Sequence, residues 1–217
     1  MTKPAAREPQ RSNSRSNRAR ILAVARRELA FNPDTTLEEI ARAAGVVRRT
    51  VYGHFAGRTA LLDALADEAA GVLRTAVDVA TAPSEDPERA FARFLLTMWP
   101  IGDRYRMLLS LARRDLGMER VTDVLAPARR EVTGILDRGQ AAGTFHAHVP
   151  PDVLSAALEA LTLSLLESLN TQAWKDNAEA TAVTTLIAAG VPTERAETVV
   201  RELAESIDVV IEPDDTL

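Results

Sequence analysis

Between Asn17 and Ile207 apolar residues return every three or four positions, and no stretch keeps the two-residue alternation that a half-buried strand needs. The expected fold class is therefore all-α. Residues 1–16, rich in Arg, Ser, Asn and Pro and without a large apolar side chain past Met1, read as a disordered basic arm. A first helix, Asn17 to Ala30, buries Ile21, Leu22, Ala25 and Leu29 and stops before Asn32 and Pro33. A second opens at Thr36, with Glu39 three residues on as a capping box, and ends at Gly45. After a short third helix reaching Phe55, the row Leu61, Leu65, Ala69, Leu73 and Ala76 defines a helix over 57–80, roughly 33 Å long at ~1.5 Å per residue.

Beyond a break at Thr81 to Asp86, Phe91, Phe94, Leu95, Met98 and Trp99 share one helical face, which Pro100 and Gly102 are expected to close. Tyr105, Leu108, Leu109, Ala112 and Leu116 mark the next helix. Val121, Leu125, Ala128, Val132, Ile135 and Leu136 mark another, interrupted near Pro127. The turn over 143–151 precedes the most apolar helix, Asp152 to Ala173. A weaker one, Ala178 to Ala189, and a last one opening at Thr193 complete the chain.

Composition sorts the function classes. The 217 residues include no cysteine, which excludes disulfides, thiolate metal sites and a cysteine nucleophile. The first 20 residues hold no apolar run of signal-peptide length. The stretch Val153 to Leu169 is too short for a bilayer and carries Glu159 and Glu167. A soluble, cytoplasmic protein without a membrane partner is expected.

The net charge of −5 conceals a division along the chain. Residues 1–60 hold 12 Lys and Arg against 5 Asp and Glu, a net +7, while residues 61–217 hold 14 against 26, a net −12. A basic leading segment on an acidic remainder points to a polyanion facing the first part only. Only Lys3 and Lys175 are lysine, so the arginine excess runs through the whole chain and carries no message by itself. Placement carries it.

The informative stretch is Leu37 to Phe55, LEEIARAAGVVRRTVYGHF. Two helices crossing steeply over a tight turn need a small residue at the contact, a residue tolerant of positive φ at the turn, and apolar plugs on each helix. Ala41, Gly45, Ile40 and Val51 meet those needs, and the pattern is a helix-turn-helix, which lays its second helix in the DNA major groove. With Val51 inward and about 100° per residue, Val47 and Phe55 fall within about 40° of the core. Arg49 and Gly53 then point outward, with Thr50 and Tyr52 beside them.

On that face Arg49 suits guanine O6 and N7, Thr50 a base edge or a phosphate, and the Tyr52 hydroxyl a phosphate. Gly53 costs roughly 0.5–1 kcal/mol against alanine inside a helix. Either the backbone comes close to DNA there, or Arg48, Arg49 and the arm do the reading. Arg58, at the start of the fourth helix where a cation opposes the helix dipole, and His54 form a candidate phosphate clamp, although His54 equally suits a buried polar cap.

From Asn17 to Leu65 these residues resemble the DNA-binding domain of the TetR family of bacterial transcriptional regulators. Val47, Thr50, Val51, Tyr52, Gly53, His54, Phe55, Arg58 and the segment Ala60 to Leu65 carry the likeness. There are two departures. Val47 stands where many members have a helix-capping Ser, and Gly53 replaces a side chain that touches bases in some.

The resemblance implies a helix-turn-helix domain over 17–60 and a helical ligand-binding and dimerisation domain over 61–217. It also implies a homodimeric repressor that leaves a pseudo-palindromic double-stranded DNA operator when a small effector binds; a ligand-independent regulator or activator is the alternative. Its dimer would pair the last two major helices across a two-fold axis, through Leu158, Leu161, Leu165, Leu169, Val199, Val200, Leu203 and Ile207. Phe91, Phe94, Met98, Trp99, Tyr105, Met107 and Phe145 are pocket candidates, or simply core.

Arg104, Arg106, Arg113 and Arg114 read as solvated faces paired with Asp103, Asp115 and Glu119, or as contacts for an anionic effector. His146 and His148, two apart in a turn, lack further ligands, so no metal site is expected. No nucleophile elbow, phosphate-binding Gly loop or HExxH pattern occurs, so neither catalytic residues nor a cofactor are expected.

Overall fold

The computed structural model describes residues 8–80, 86–171, 173–174 and 178–207, with side chains from Arg15 to Ser206. Among them it contains α-helices and no strand: α1 (Glu8–Phe31), α2 (Leu37–Ala43), α3 (Arg48–His54), α4 (Arg58–Ala80), α5 (Pro87–Asp115), α6 (Met118–Ala141), α7 (Pro151–Asn170), α8 (Ala178–Ala188) and α9 (Thr193–Ile207). Among the described residues no helix is long and apolar enough to cross a membrane.

The chain divides into two compact units. The first runs through Ala69 and takes in Met107–Val121; the second comprises Ala70–Arg106 and the chain from Thr122 onward. A boundary at residue 60 therefore misses that the end of α5 and the first turn of α6 belong with the N-terminal helices.

In the first unit α1, α2 and α3 pack on one another. Ile21, Leu22, Ala25 and Leu29 of α1 are buried, as are Leu37, Ile40 and Ala41 of α2 and Val51 of α3. α1 begins earlier than the composition of the arm implies, so Glu8 to Ser16 is helical, and residues 1–7 of the expected arm lie outside the described residues. No Gly or Pro interrupts Gln10 to Phe31, and Pro9 occupies a first-turn position where its missing N–H costs little.

The capping box of α2 forms as expected. The Thr36 hydroxyl accepts from the Glu39 N–H at 3.3 Å, and the Glu39 carboxylate accepts from the Thr36 N–H at 2.7 Å. Gly45 follows at φ 63°, a conformation that favours glycine and turns the chain toward α3. The Arg18 guanidinium lies 5.3 Å from the centre of the buried Phe55 ring, joining α1 to the end of α3.

Two expected helix breaks do not occur. α5 continues through Pro100 and α6 through Pro127. Proline removes one helical hydrogen bond and crowds the carbonyl four residues back, but burial on both sides holds α5 together. Phe94, Leu95, Leu96 and Trp99 are buried before Pro100, and Tyr105, Leu108 and Leu111 after it. Gly102, expected as a stop, lies inside the helix with the side chain of Leu166 against it. The break between α5 and α6 comes instead at Gly117, at φ 90°.

The second unit has one core. Phe91, Leu96, Leu136, Leu154, Leu186, Val199 and Leu203 belong to it, so each of α5 to α9 contributes. Phe145, from the turn after α6, meets Phe91 edge-on at 5.9 Å. Its ring covers Gly139 so closely that a Cβ there would collide with it. The outer faces of α5 and α9 are linked by Glu88 with Arg195 and by Glu202 with Arg89.

Candidate nucleic-acid interface

α3 is short, and its wheel divides cleanly. Val51 and Phe55 are buried, whereas Arg48, Arg49, Tyr52 and Gly53 are exposed and Thr50 and His54 are half-buried. The outward projection of Arg49 and Gly53 holds. Val47 differs: expected to face the core, it is 69% exposed. It is the N-cap residue, with extended backbone at φ −78° and ψ 149°, so the helical wheel does not govern it, and its side chain has no oxygen with which to cap.

The face carries three different chemistries. Arg49 has no hydrogen-bond or ion-pair partner among the described residues, so all five of its donors are available. Arg48 is engaged: its Nε lies 3.0 Å from Glu38 Oε1 of α2, and its guanidinium lies 5.0 Å from the centre of the Tyr52 ring. Gly53 has ordinary helical φ, and a Cβ built on it meets nothing within 4 Å. Nothing inside the described protein therefore requires glycine at this helix-interior position. The His54 and Phe55 ring centres are 6.2 Å apart.

Arg58, expected as a phosphate clamp, has partners within the first unit. Its Nη1 donates to the Thr35 carbonyl at 2.9 Å and its Nη2 to the Pro33 carbonyl at 2.5 Å, while Nε donates to Asp115 at 3.2 Å. The cation at the start of α4 is balanced by a carboxylate 57 residues away and by the α1–α2 turn. The helix dipole thus does not demand an external anion here. Arg114 donates to the other oxygen of Asp115 at 2.8 Å. Hydrogen bonding from Arg114 first, and then from Arg58, holds the Asp115 carboxyl below its ordinary range against the opposing effect of burial.

The expected pocket residues are largely core. Phe91, Phe94 and Phe145 lie in the main cluster of the second unit, Trp99 and Tyr105 are buried, and Met98 packs against that cluster half-buried. Met107, half-buried two residues beyond Tyr105 in α5, is grouped with the first unit. Arg106 pairs with Asp103 at 2.5 Å and Arg114 with Asp115, the partners expected of them.

The expected dimer residues need correction. Leu158, Val199, Val200 and Leu203 are inside the protomer core, and Leu161 packs against it. Leu165 and Leu169 are half-buried, and the side chain of Ile207 lies outside the described residues. α9 has one apolar stripe and the protomer consumes it, leaving Glu194, Glu197, Arg201 and Glu205 outward. On α7 the exposed row is instead Val153, Ala157, Ala160 and Ser164, with Ala156 beside it.

Sequence reasoning missed Glu38, whose contact with α3 depends on how α2 crosses it. It also treated Asp115 only as a surface partner for arginine. Proximity in the fold, not a local pattern, makes both important.

Residues 21–65 match the family described as bacterial regulatory proteins, tetR family. No curated protein matches the chain in sequence. Among solved structures, a bacterial regulatory protein in the tetR family from Rhodococcus RHA1 is similar at 20% identity and TM-score 0.68, over 81% of this chain and 98% of that one. NalD, the secondary repressor of the MexAB-OprM multidrug efflux pump in Pseudomonas aeruginosa, is similar at 22% identity and TM-score 0.60, over 81% and 96%. RolR in complex with resorcinol is similar at 21% identity and TM-score 0.53, over 87% and 95%.

Proposed function

We propose that this chain, a tetR-family protein through residues 21–65, is a homodimeric transcriptional repressor. It binds a pseudo-palindromic double-stranded DNA operator through α3 and leaves it when a small effector binds the second unit. The observation that carries the reading is the division of α3, with Val51 and Phe55 locked inward and Arg48, Arg49, Tyr52 and Gly53 presented outward. A recognition helix needs that: a buried face that fixes its orientation and an exposed face that meets base edges and phosphates.

Arg49 is the base reader in this scheme and Thr50 and Tyr52 are backbone contacts, with His54 beside them. Arg49→Ala is expected to lower operator affinity by about 1–3 kcal/mol and to relax preference at one base pair per half-site, read in a competition assay with substituted duplexes. An unchanged preference removes Arg49 from that role.

Gly53 gives a test with two opposite signs. Since a Cβ meets nothing in the protein, Gly53→Ala is expected to raise stability by about 0.5–1 kcal/mol through helix propensity. Operator affinity is expected to fall, because the duplex then meets a side chain where it had met backbone. A melting curve and a binding isotherm on one sample decide it, and a variant that is stabilised with undiminished affinity rules out close approach at Gly53.

For the dimer we assign the exposed row of α7, Val153, Ala157, Ala160 and Ser164, as the self-complementary surface. A two-fold operator presents its half-sites about 34 Å apart, one turn of DNA, and an effector that changes the separation of the two α3 helices releases it. Among the structural neighbours, RolR has been solved with resorcinol bound and NalD is a repressor. The packing of Phe91, Phe94 and Phe145 into the core favours a second reading, a regulator that acts without an effector. A thermal-shift screen against small metabolites separates the two, since a ligand that binds only the folded state raises the melting temperature.

A further inference from the structure

We infer that Glu38 is a built-in competitor for DNA phosphate, lowering the protein's affinity for every duplex and so easing its release from DNA. The inference rests on the reading that α3 docks on a duplex. Glu38 is the second residue of α2, not of α3, yet its carboxylate reaches the docking face. Its Oε1 lies 3.0 Å from Arg48 Nε and accepts a hydrogen bond from the Tyr52 hydroxyl at 3.4 Å. Arg48 Nη2 donates to the same hydroxyl at 3.4 Å, and the guanidinium lies against the Tyr52 ring. Arg48 and Tyr52 are thus arranged around one anionic oxygen, as they would be around a phosphate oxygen.

The first turn of α3 holds Arg48 and Arg49 and no acidic residue, so among the described residues the carboxylate that meets its cations comes from Glu38. The cluster is solvent-exposed, with side-chain accessibilities of 67% for Arg48 and 41% for Glu38. Non-specific affinity comes from neutralising phosphates, and each phosphate that draws Arg48 or Tyr52 away from Glu38 must overcome that pairing. On an operator the base contacts of Arg49 are added to the exchange. On other DNA they are not, but the pairing is given up on every duplex, so its cost lowers both affinities alike.

Glu38→Gln keeps the size of the side chain and removes the charge. Binding of the wild type and the variant to a random-sequence duplex, and to a duplex selected by the wild type from a random pool, would be measured from 50 to 300 mM NaCl, with a melting curve to show that the variant is folded. The variant is expected to bind random duplex roughly two- to five-fold tighter, the range that loss of one exposed ion pair allows. The plot of log affinity against log salt should steepen by about one unit, and the selected duplex should gain by about the same factor, leaving the ratio of the two affinities unchanged.

Equal affinities and slopes overturn the inference, leaving a surface ion pair without a role in binding. Weaker binding to every duplex overturns it in favour of Glu38 as a residue that positions Arg48. Loss of preference at a single cytosine or adenine, with random affinity unchanged, overturns it in favour of base reading by the carboxylate. A wild type that binds no duplex at 50 mM NaCl sinks the docking reading itself, an outcome distinct from the other three.

Discussion

Leu203→Glu is expected to leave no stably folded second unit at 25 °C, with loss of the helical circular dichroism melt that the wild type shows. Leu203 is 1% exposed and lies in the core beside Val199 and Val200 of the same helix. Truncation of such a leucine to alanine alone costs about 2–5 kcal/mol. Glutamate adds the burial of a carboxyl with no donor prepared for it, which drives the group to protonate or the structure to open, and changes of this kind exceed ~4 kcal/mol. A typical domain has about 5–15 kcal/mol in total. The contrast is Ala160→Glu, on the exposed face of α7, which is expected to keep the melt and, where that face pairs two copies, to give monomers in light scattering. A folded, monomeric Leu203→Glu protein returns α9 to the dimer surface and removes α7 from it.

The two outcomes turn on something the sequence expresses only in part. The row Ala196, Val199, Val200 and Leu203 announces a buried stripe, but periodicity does not say whether the protomer or a partner buries it. The charged residues on the opposite face of α9 were the available signal, since a helix with a single apolar stripe can serve one of those purposes. Elements closed by local chemistry were legible: Thr36 with Glu39, and Gly45, set the ends of α2 within a residue or two. The proline stops were misjudged for the opposite reason. The cost of Pro100 is local, while the burial that offsets it, from Phe94 to Leu111, is tertiary.

The same division runs through the site. Inward Val51 and outward Arg49 follow from helix geometry alone, whereas Val47 escapes it because a cap residue is not on the wheel. That Glu38 reaches Arg48 depends on the crossing of two helices, and that Asp115 reaches Arg58 depends on the end of α5 joining the first unit. Neither distance is written in any short stretch of residues. The local reading of Arg58, a cation in need of an anion, sees the need but not Asp115, which lies 57 residues away in the sequence.

Arg58→Ala is accordingly expected to act on stability and not on phosphate binding. It removes three donors at once, two to the carbonyls of Pro33 and Thr35 and one to Asp115, in a site about one-third exposed. Charged hydrogen bonds contribute about 1.5–3 kcal/mol each where water cannot replace them. With water able to reach this site, the sum should be about 2–4 kcal/mol, seen as a lower melting temperature of the first unit. Arg58→Lys should restore little, since one ammonium cannot present the planar fork to three acceptors. Measured where the variant is still folded, the salt slope of DNA binding should match the wild type; a slope smaller by about one unit restores Arg58 to the phosphate contacts. Acid adds an independent check. The Asp115 carboxyl is held low by Arg114 and then Arg58, so the folded state binds its proton less readily than the unfolded chain. The stability it contributes is present above the ordinary aspartate range near 4 and is lost as the pH falls through the lower folded value. Glu39, held low by the Thr36 N–H and hydroxyl, acts in the same direction, so Asp115→Asn should flatten the acid dependence of the melting temperature without removing it.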